Sequence, residues 1–193
     1  MPNKIIQQDK YPRKSIENYM EKDIKLAKAI EEAFARLYIY DRQLISSRPQ
    51  KYNDTIGINH HVGERAIVFR FAYYLQKILD EHCLYPDYNL DCEYNRNGDK
   101  PKIIYSLKKN VYPDLIIHQR GSNDNNLLVM EFKTYWNSGQ QNDIEKIKAF
   151  LDCNEKVSYN YKYGIAVLIG ESTVNLKMFE KDGQIFEDDK VYK

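Results

Sequence analysis

The sequence predicts an α/β fold, a mixed central sheet flanked by helices with an N-terminal helical extension. Three observations carry this prediction. Helical and alternating or short apolar patterns follow one another in the order helix–strand–strand–strand–helix–strand, the order of a layered α/β sandwich. Residues 15–44 and 63–82 repeat apolar side chains at three- and four-residue steps. The runs "YPDLIIH", "NLLVMEFK" and "YGIAVLIG" are short and bounded by turn-forming residues, as buried strands are.

Each element has a local reason. Residues 1–13 are polar, contain Pro2 and Pro12, and read as a loose arm. Over 15–44, Ile16, Tyr19, Met20, Ile24, Leu26, Ala27, Ile30, Phe34 and Leu37 recur mostly at three- and four-residue steps. Ser15 is placed to cap this helix, and Glu17 and Glu21 suit its early turns. "SSRPQKYNDT" is a polar connection. The second helix, "GERAIVFRFAYYLQKILDEH", has a broad apolar stripe of Ala66, Val68, Phe69, Ala72, Tyr73, Leu75 and Leu79. In "YNLDCEYNR" the residues alternate, Leu90, Cys92 and Tyr94 against Asp91, Glu93 and Asn95, which is the pattern of a half-buried strand. "QRGSNDNN" joins two antiparallel strands, and "QQNDIEKIKAFLDC" is a helix with Ile144, Ile147, Phe150 and Leu151 near one side. The tail adds a weak strand pair with Asp182-Gly183 as its turn.

With 193 residues the chain fits one compact unit. It divides into an arm and helical extension over 1–55 and the main domain over 56–193. Hydrophobic residues make up 42% of it, and 29 Lys and Arg face 28 Asp and Glu. A core is therefore affordable, and no global positive field draws the chain to nucleic acid. Cys83, Cys92 and Cys153 lack metal-ligand spacing and read as buried free thiols in a reducing cytosol. No signal peptide or membrane span is visible, so a cytoplasmic protein is expected.

The chemistry lies in the hairpin. If residue 118 faces 127, opposed residues sum to 245, and Asp114 lies across from Glu131. Asp114, Ile116 and His118 then share a face with Val129, Glu131 and Lys133. Directly opposed Cβ atoms stand about 4.5–5.5 Å apart, and a slip of one residue would separate the two acids. Adjacent carboxylates repel. A hard divalent cation relieves that repulsion, and a neighbouring ammonium holds or deprotonates a water and offsets charge on a phosphate.

Pro113-Asp114 followed by Glu131-Phe132-Lys133 resembles the PD-(D/E)XK nuclease superfamily, over about residues 60–170. The segment is also similar to an uncharacterised bacterial branch of that superfamily, through Glu93-Tyr94-Asn95-Arg96 and the stretch from Pro113 to Gly121. The resemblance implies a restriction-endonuclease-like core and a Mg²⁺-dependent phosphodiesterase or endonuclease, with Mn²⁺ able to substitute and DNA as the expected partner. It assigns metal binding to Asp114 and Glu131, water or transition-state contact to Lys133, and an additional helix-borne acid to Glu64. Gln140 and Gln141 are followed at the relevant spacing by Ile144 and Glu145, so the Gln-x-x-x-Tyr signature of some exonuclease branches is absent.

Glu93, His118, Arg96 and Arg120 are candidates for supporting or phosphate-binding roles. Ordinary alternatives stand beside these assignments: a surface ion cluster for the trio, a first-turn helix acid for Glu64, a solvated Glu93 and a structural His118. His60 and His61 read as structural. Tyr135 and Trp136 either stack a base or pack on the last helix. The N-terminal helix covers the sheet, supports substrate binding or forms a homodimer. The alternative function is a catalytically silent binding or regulatory module on the same fold.

Overall fold

The computed structural model describes residues 16–46, 61–181 and 183–192. The readings made for Pro2, Pro12, Ser15, His60, Asp182 and most of the 46–55 connection lie outside these residues. Six strands form one sheet: β1 (Asn89–Cys92), β2 (Leu115–His118), β3 (Asn126–Thr134), β4 (Tyr161–Ile169), β5 (Thr173–Glu180) and β6 (Gly183–Val191). They lie side by side in chain order, and every neighbouring pair is antiparallel except β3 with β4. A parallel pair needs a crossover, and α3 (Gln140–Leu151) supplies it. The fold is thus mixed α/β, as expected, with the tail strands longer than expected and part of the main sheet.

Helices cover both faces. On one, α1 (Ile24–Tyr40) and α2 (Glu64–Glu81) pack over Leu115, Ile117, Leu128, Met130, Ile165 and Val167. Three rings tie these layers: Phe34 of α1, Phe71 of α2 and Phe132 of β3, with centroids 4.3 Å (Phe34–Phe71) and 5.1 Å (Phe71–Phe132) apart. The extension therefore shares the main core instead of forming a separate unit. On the other face α3 packs through Ile144, Ile147, Phe150 and Leu151 onto Ile116, Val129, Ala166 and Phe179. Those four α3 residues are the ones the periodicity selected.

Three local expectations are corrected. The first helix is broken: short 3₁₀ turns at Ile16–Asn18, Glu21–Asp23 and Arg42–Leu44 flank α1. The break at Asp23, whose backbone is non-helical, coincides with its carboxylate accepting bonds from Tyr85 and Tyr163, 3.0 Å each, and pairing with Lys162. In α2 the buried residues are Ile67, Val68, Phe71, Ala72, Tyr74, Leu75, Ile78 and Leu79, so Val68, Ala72, Leu75 and Leu79 fall where expected, while Phe69 and Tyr73 are 63% and 46% exposed. The three cysteines are exposed, not buried. Among the described residues, no helix is long and apolar enough to cross a membrane.

Candidate active site

The hairpin register sets the site. Leu115 pairs with Met130, Ile116 with Val129 and Ile117 with Leu128, so opposed numbers sum to 245 as the loop reading requires. Asp114 immediately precedes β2. Its Oδ2 accepts a 2.7 Å hydrogen bond from the Phe132 backbone N–H, which holds the carboxylate against β3 beside Glu131. Glu131 is 1% exposed. Alternation turns it towards α3, where the Lys146 ammonium lies against its Oε2.

Glu64 begins α2, where an acid suits the free backbone N–H groups of the first turn. Its carboxylate also reaches across to β3, accepting from the Thr134 N–H, the Asn137 side chain and Lys133 Nζ, each at 3.2 Å. Lys133 is 3.4 Å from Asp143 of α3 on its other side. Asp114, Glu131, Lys133 and Glu64 are thus brought into one cluster, and α3 adds Asp143 and Lys146. Those two residues went unnoticed in the sequence, although they sit three apart beside the apolar stripe of Ile144 and Ile147.

Glu93 is at the edge of this site. Its backbone has a positive φ of 53°, which ends β1, and its carboxylate pairs with Arg65 at 2.9 Å. A pocket of about 320 Å³ opens beside it, lined by Glu64, Asp114, Cys92, Glu93, Phe69 and Tyr112 among others. The outward Phe69 and Tyr112, 63% and 48% exposed, flank the pocket. His118, Arg120 and Arg96 belong elsewhere. His118 closes β2 at its far end, about 13 Å along the strand from Asp114, where Nε2 is 2.8 Å from Asp91. Arg120 forks onto the same Asp91, and Arg96 reaches the Asp99 backbone carbonyl. Trp136 stacks on His61, with centroids 4.3 Å apart, and packs against the core.

The electrostatics follow from burial. Burial raises the Asp114 pKa to about 6, against the Phe132 hydrogen bond and Lys146. Burial, then the charge of Asp114, pushes Glu131 well above the usual carboxylate range despite Lys146. Burial also raises Asp143. For Lys133 burial opposes the charge, but Asp143 and Glu64 outweigh it and the pKa is raised. Four carboxylates face two ammonium groups, so two negative charges are left over when all are ionised.

A carboxyl with a raised folded pKa favours folding at low pH. For Asp114 that contribution is full below about pH 4 and is lost as the pH rises through about 6. Asp114→Asn is accordingly expected to raise Tm by a few degrees at pH 8 and to leave it nearly unchanged at pH 4. Equal shifts at both pH values, by calorimetry, would mean that Asp114 does not titrate in this range.

These donors suit a hard divalent cation by type and charge. Glu131 Oε1 is buried without a hydrogen bond, an expensive condition unless something else meets it, while Glu131 Oε2 and Asp143 Oδ2 face only the ammonium groups of Lys146 and Lys133. Among the described residues, no group of three or more His, Cys, Asp or Glu side chains is already gathered closely enough to hold a metal ion. The chain matched no family model, no curated protein and no solved structure in comparison with known proteins.

Proposed function

We propose that the protein is a metal-dependent nuclease with a restriction-endonuclease-like core, hydrolysing phosphodiester bonds in DNA. The observation that carries this reading is the buried Glu131 carboxylate, whose Oε1 has no donor, next to Asp114 at a pocket that Asp114 and Glu64 line. Asp114 and Glu131 are the residues to hold Mg²⁺ or Mn²⁺, with Glu64 next to them. The bound cation supplies a polarised phosphoryl oxygen and a more acidic water.

The protein's own groups divide the remaining work. Lys133, kept charged by Asp143 and Glu64, donates to the attacking water or the charged phosphate and does not serve as a base. Glu64 fixes the direction of that ammonium. Lys146 screens Glu131 until a cation arrives. Phe69 and Tyr112 offer ring faces to a base at the pocket mouth, where stacking contributes about 1–3 kcal/mol per base.

One observation favours the silent-module reading: Lys146 already occupies the face of Glu131 that a cation would need. Divalent titration decides between the two. The nuclease reading expects Mg²⁺ and Mn²⁺ to raise Tm and to support cleavage of at least one substrate among single- and double-stranded DNA and RNA. Ca²⁺ is expected to bind yet support little cleavage, because its looser coordination orients water poorly. No thermal shift and no cleavage with either active metal favours the silent module.

A further inference from the structure

At the end of β2 remote from Asp114, the structure buries a lysine without an anion. Lys102 is 1% exposed. Its ammonium lies over the rings of Tyr159 at 4.7 Å and of Tyr94 and Tyr161 at 5.8 Å each. Among the described residues, no carboxylate forms an ion pair with it. The nearby acid on β1, Asp91, is engaged by His118 and by the Arg120 fork. The backbone N–H and C=O of Lys102 are used in the chain's own turns and leave the ammonium aside.

A buried ammonium without a carboxylate is costly, and ring faces offset only part of that cost. Burial draws the Lys102 pKa down to about 8, because the charged form loses its water. This side chain lines a small pocket together with Tyr94, Arg96, His118, Ser122 and Asn123. Arg96 is exposed at its mouth. The pocket's free volume is about 10 Å³, about that of one water-sized probe. It admits a single oxygen and excludes a base or a sugar. Gly98 and Gly121 have φ of +58° and +84° with nothing within 4 Å of an added Cβ, so backbone without side chains borders the opening.

We propose that this pocket binds a phosphate-type oxyanion, one oxygen of which pairs with Lys102 while Arg96 meets the remaining charge at the mouth. Ser122, whose hydroxyl donates to Asp124 at 2.9 Å, and Asn123, whose amide donates to Asn97 at 2.8 Å, shape the rim. The phosphate is either free or the end group of a nucleotide chain. The site is independent of the nuclease reading, since none of its residues belongs to the Asp114 cluster.

The test uses the full chain with inorganic phosphate. Millimolar phosphate is expected to raise Tm by a few degrees and to slow acylation of Lys102, followed by peptide mass spectrometry. Lys102→Met is expected to raise Tm in phosphate-free buffer, because a buried unpaired charge is removed at similar volume, and to abolish the phosphate response. A dinucleotide with and without a 5′-phosphate distinguishes the sources: protection by the phosphorylated form alone identifies a chain end, whereas protection by inorganic phosphate only identifies a free ion. The proposal is overturned if phosphate leaves both Tm and Lys102 acylation unchanged in the wild type. It is equally overturned if the Tm response survives Lys102→Met, or if that variant loses stability in phosphate-free buffer while the wild type ignores phosphate. The acylation readout stands even if the variant fails to fold.

Discussion

Asp114→Asn is expected to lower Mg²⁺- or Mn²⁺-dependent turnover by about a hundredfold or more while leaving the fold intact. The substitution removes a charge and keeps an oxygen that can accept the 2.7 Å bond from the Phe132 N–H. Structure at this corner of the sheet is therefore retained, and the desolvation penalty on the carboxylate disappears. Activity and stability should move in opposite directions at pH 8, a pattern that general damage to the fold would not produce. Lys133→Ala should also impair turnover, with metal-induced stabilisation largely retained, since Lys133 is assigned to water and phosphate. Steady-state rates and metal-induced thermal shifts, measured on the same preparations, check both. Undiminished cleavage by Asp114→Asn would place the activity in another site or another protein.

Gly164→Val is expected to cost about 3 kcal/mol or more. A Cβ added at Gly164 would lie 2.3 Å from Ile147 Cγ2 and 3.1 Å from Leu151 Cδ1, and both partners are buried, at 0% and 3% exposure. The clash is with a β-branched side chain, stiff at χ1, so it cannot be relieved by swinging a flexible tip. Either the rotamer is forced or α3 lifts from β4, and overpacking of this kind costs 1–3 kcal/mol even for smaller insertions. For a chain of this size the loss corresponds to a Tm lower by roughly 6–12 °C. Because α3 also carries Asp143 and Lys146, metal-induced stabilisation should weaken in the same variant. A Tm within a degree of wild type would show that the α3–β4 contact yields freely.

The register of the β2–β3 hairpin was legible from the loop, whose turn formers set which residues face each other; the runs themselves are apolar on both faces and do not exclude a slip. Only one pairing then places Ile116 against Val129 and brings Asp114 up to Glu131. Glu64 entered through the resemblance, which expects an acid from the first core helix; its place at a helix start alone marks only a first-turn acid. Asp143 and Lys146 were not legible, because charged residues flanking a helical stripe look alike whether they face solvent or a neighbouring strand. In α2 the expected Val68, Ala72, Leu75 and Leu79 are buried, but so are Ile67, Phe71, Tyr74 and Ile78, which recur at four- and three-residue steps, while Phe69 and Tyr73 face out. Apolar residues run round most of this helix, so spacing alone leaves more than one face to choose from. His118 was placed on the correct face but at the wrong end for a role beside Asp114. Periodicity assigns faces, and distance along a strand has to be counted separately.

The single parallel seam between β3 and β4 splits the chain into two halves with different freedoms. Every charged side chain of the Asp114 cluster precedes residue 147, and β4, β5 and β6 contribute none of them. The second half acts on that cluster only by backing β3 and seating α3. Its outer strands are consequently free to lengthen, diverge or acquire a docking partner without renegotiating the charged groups.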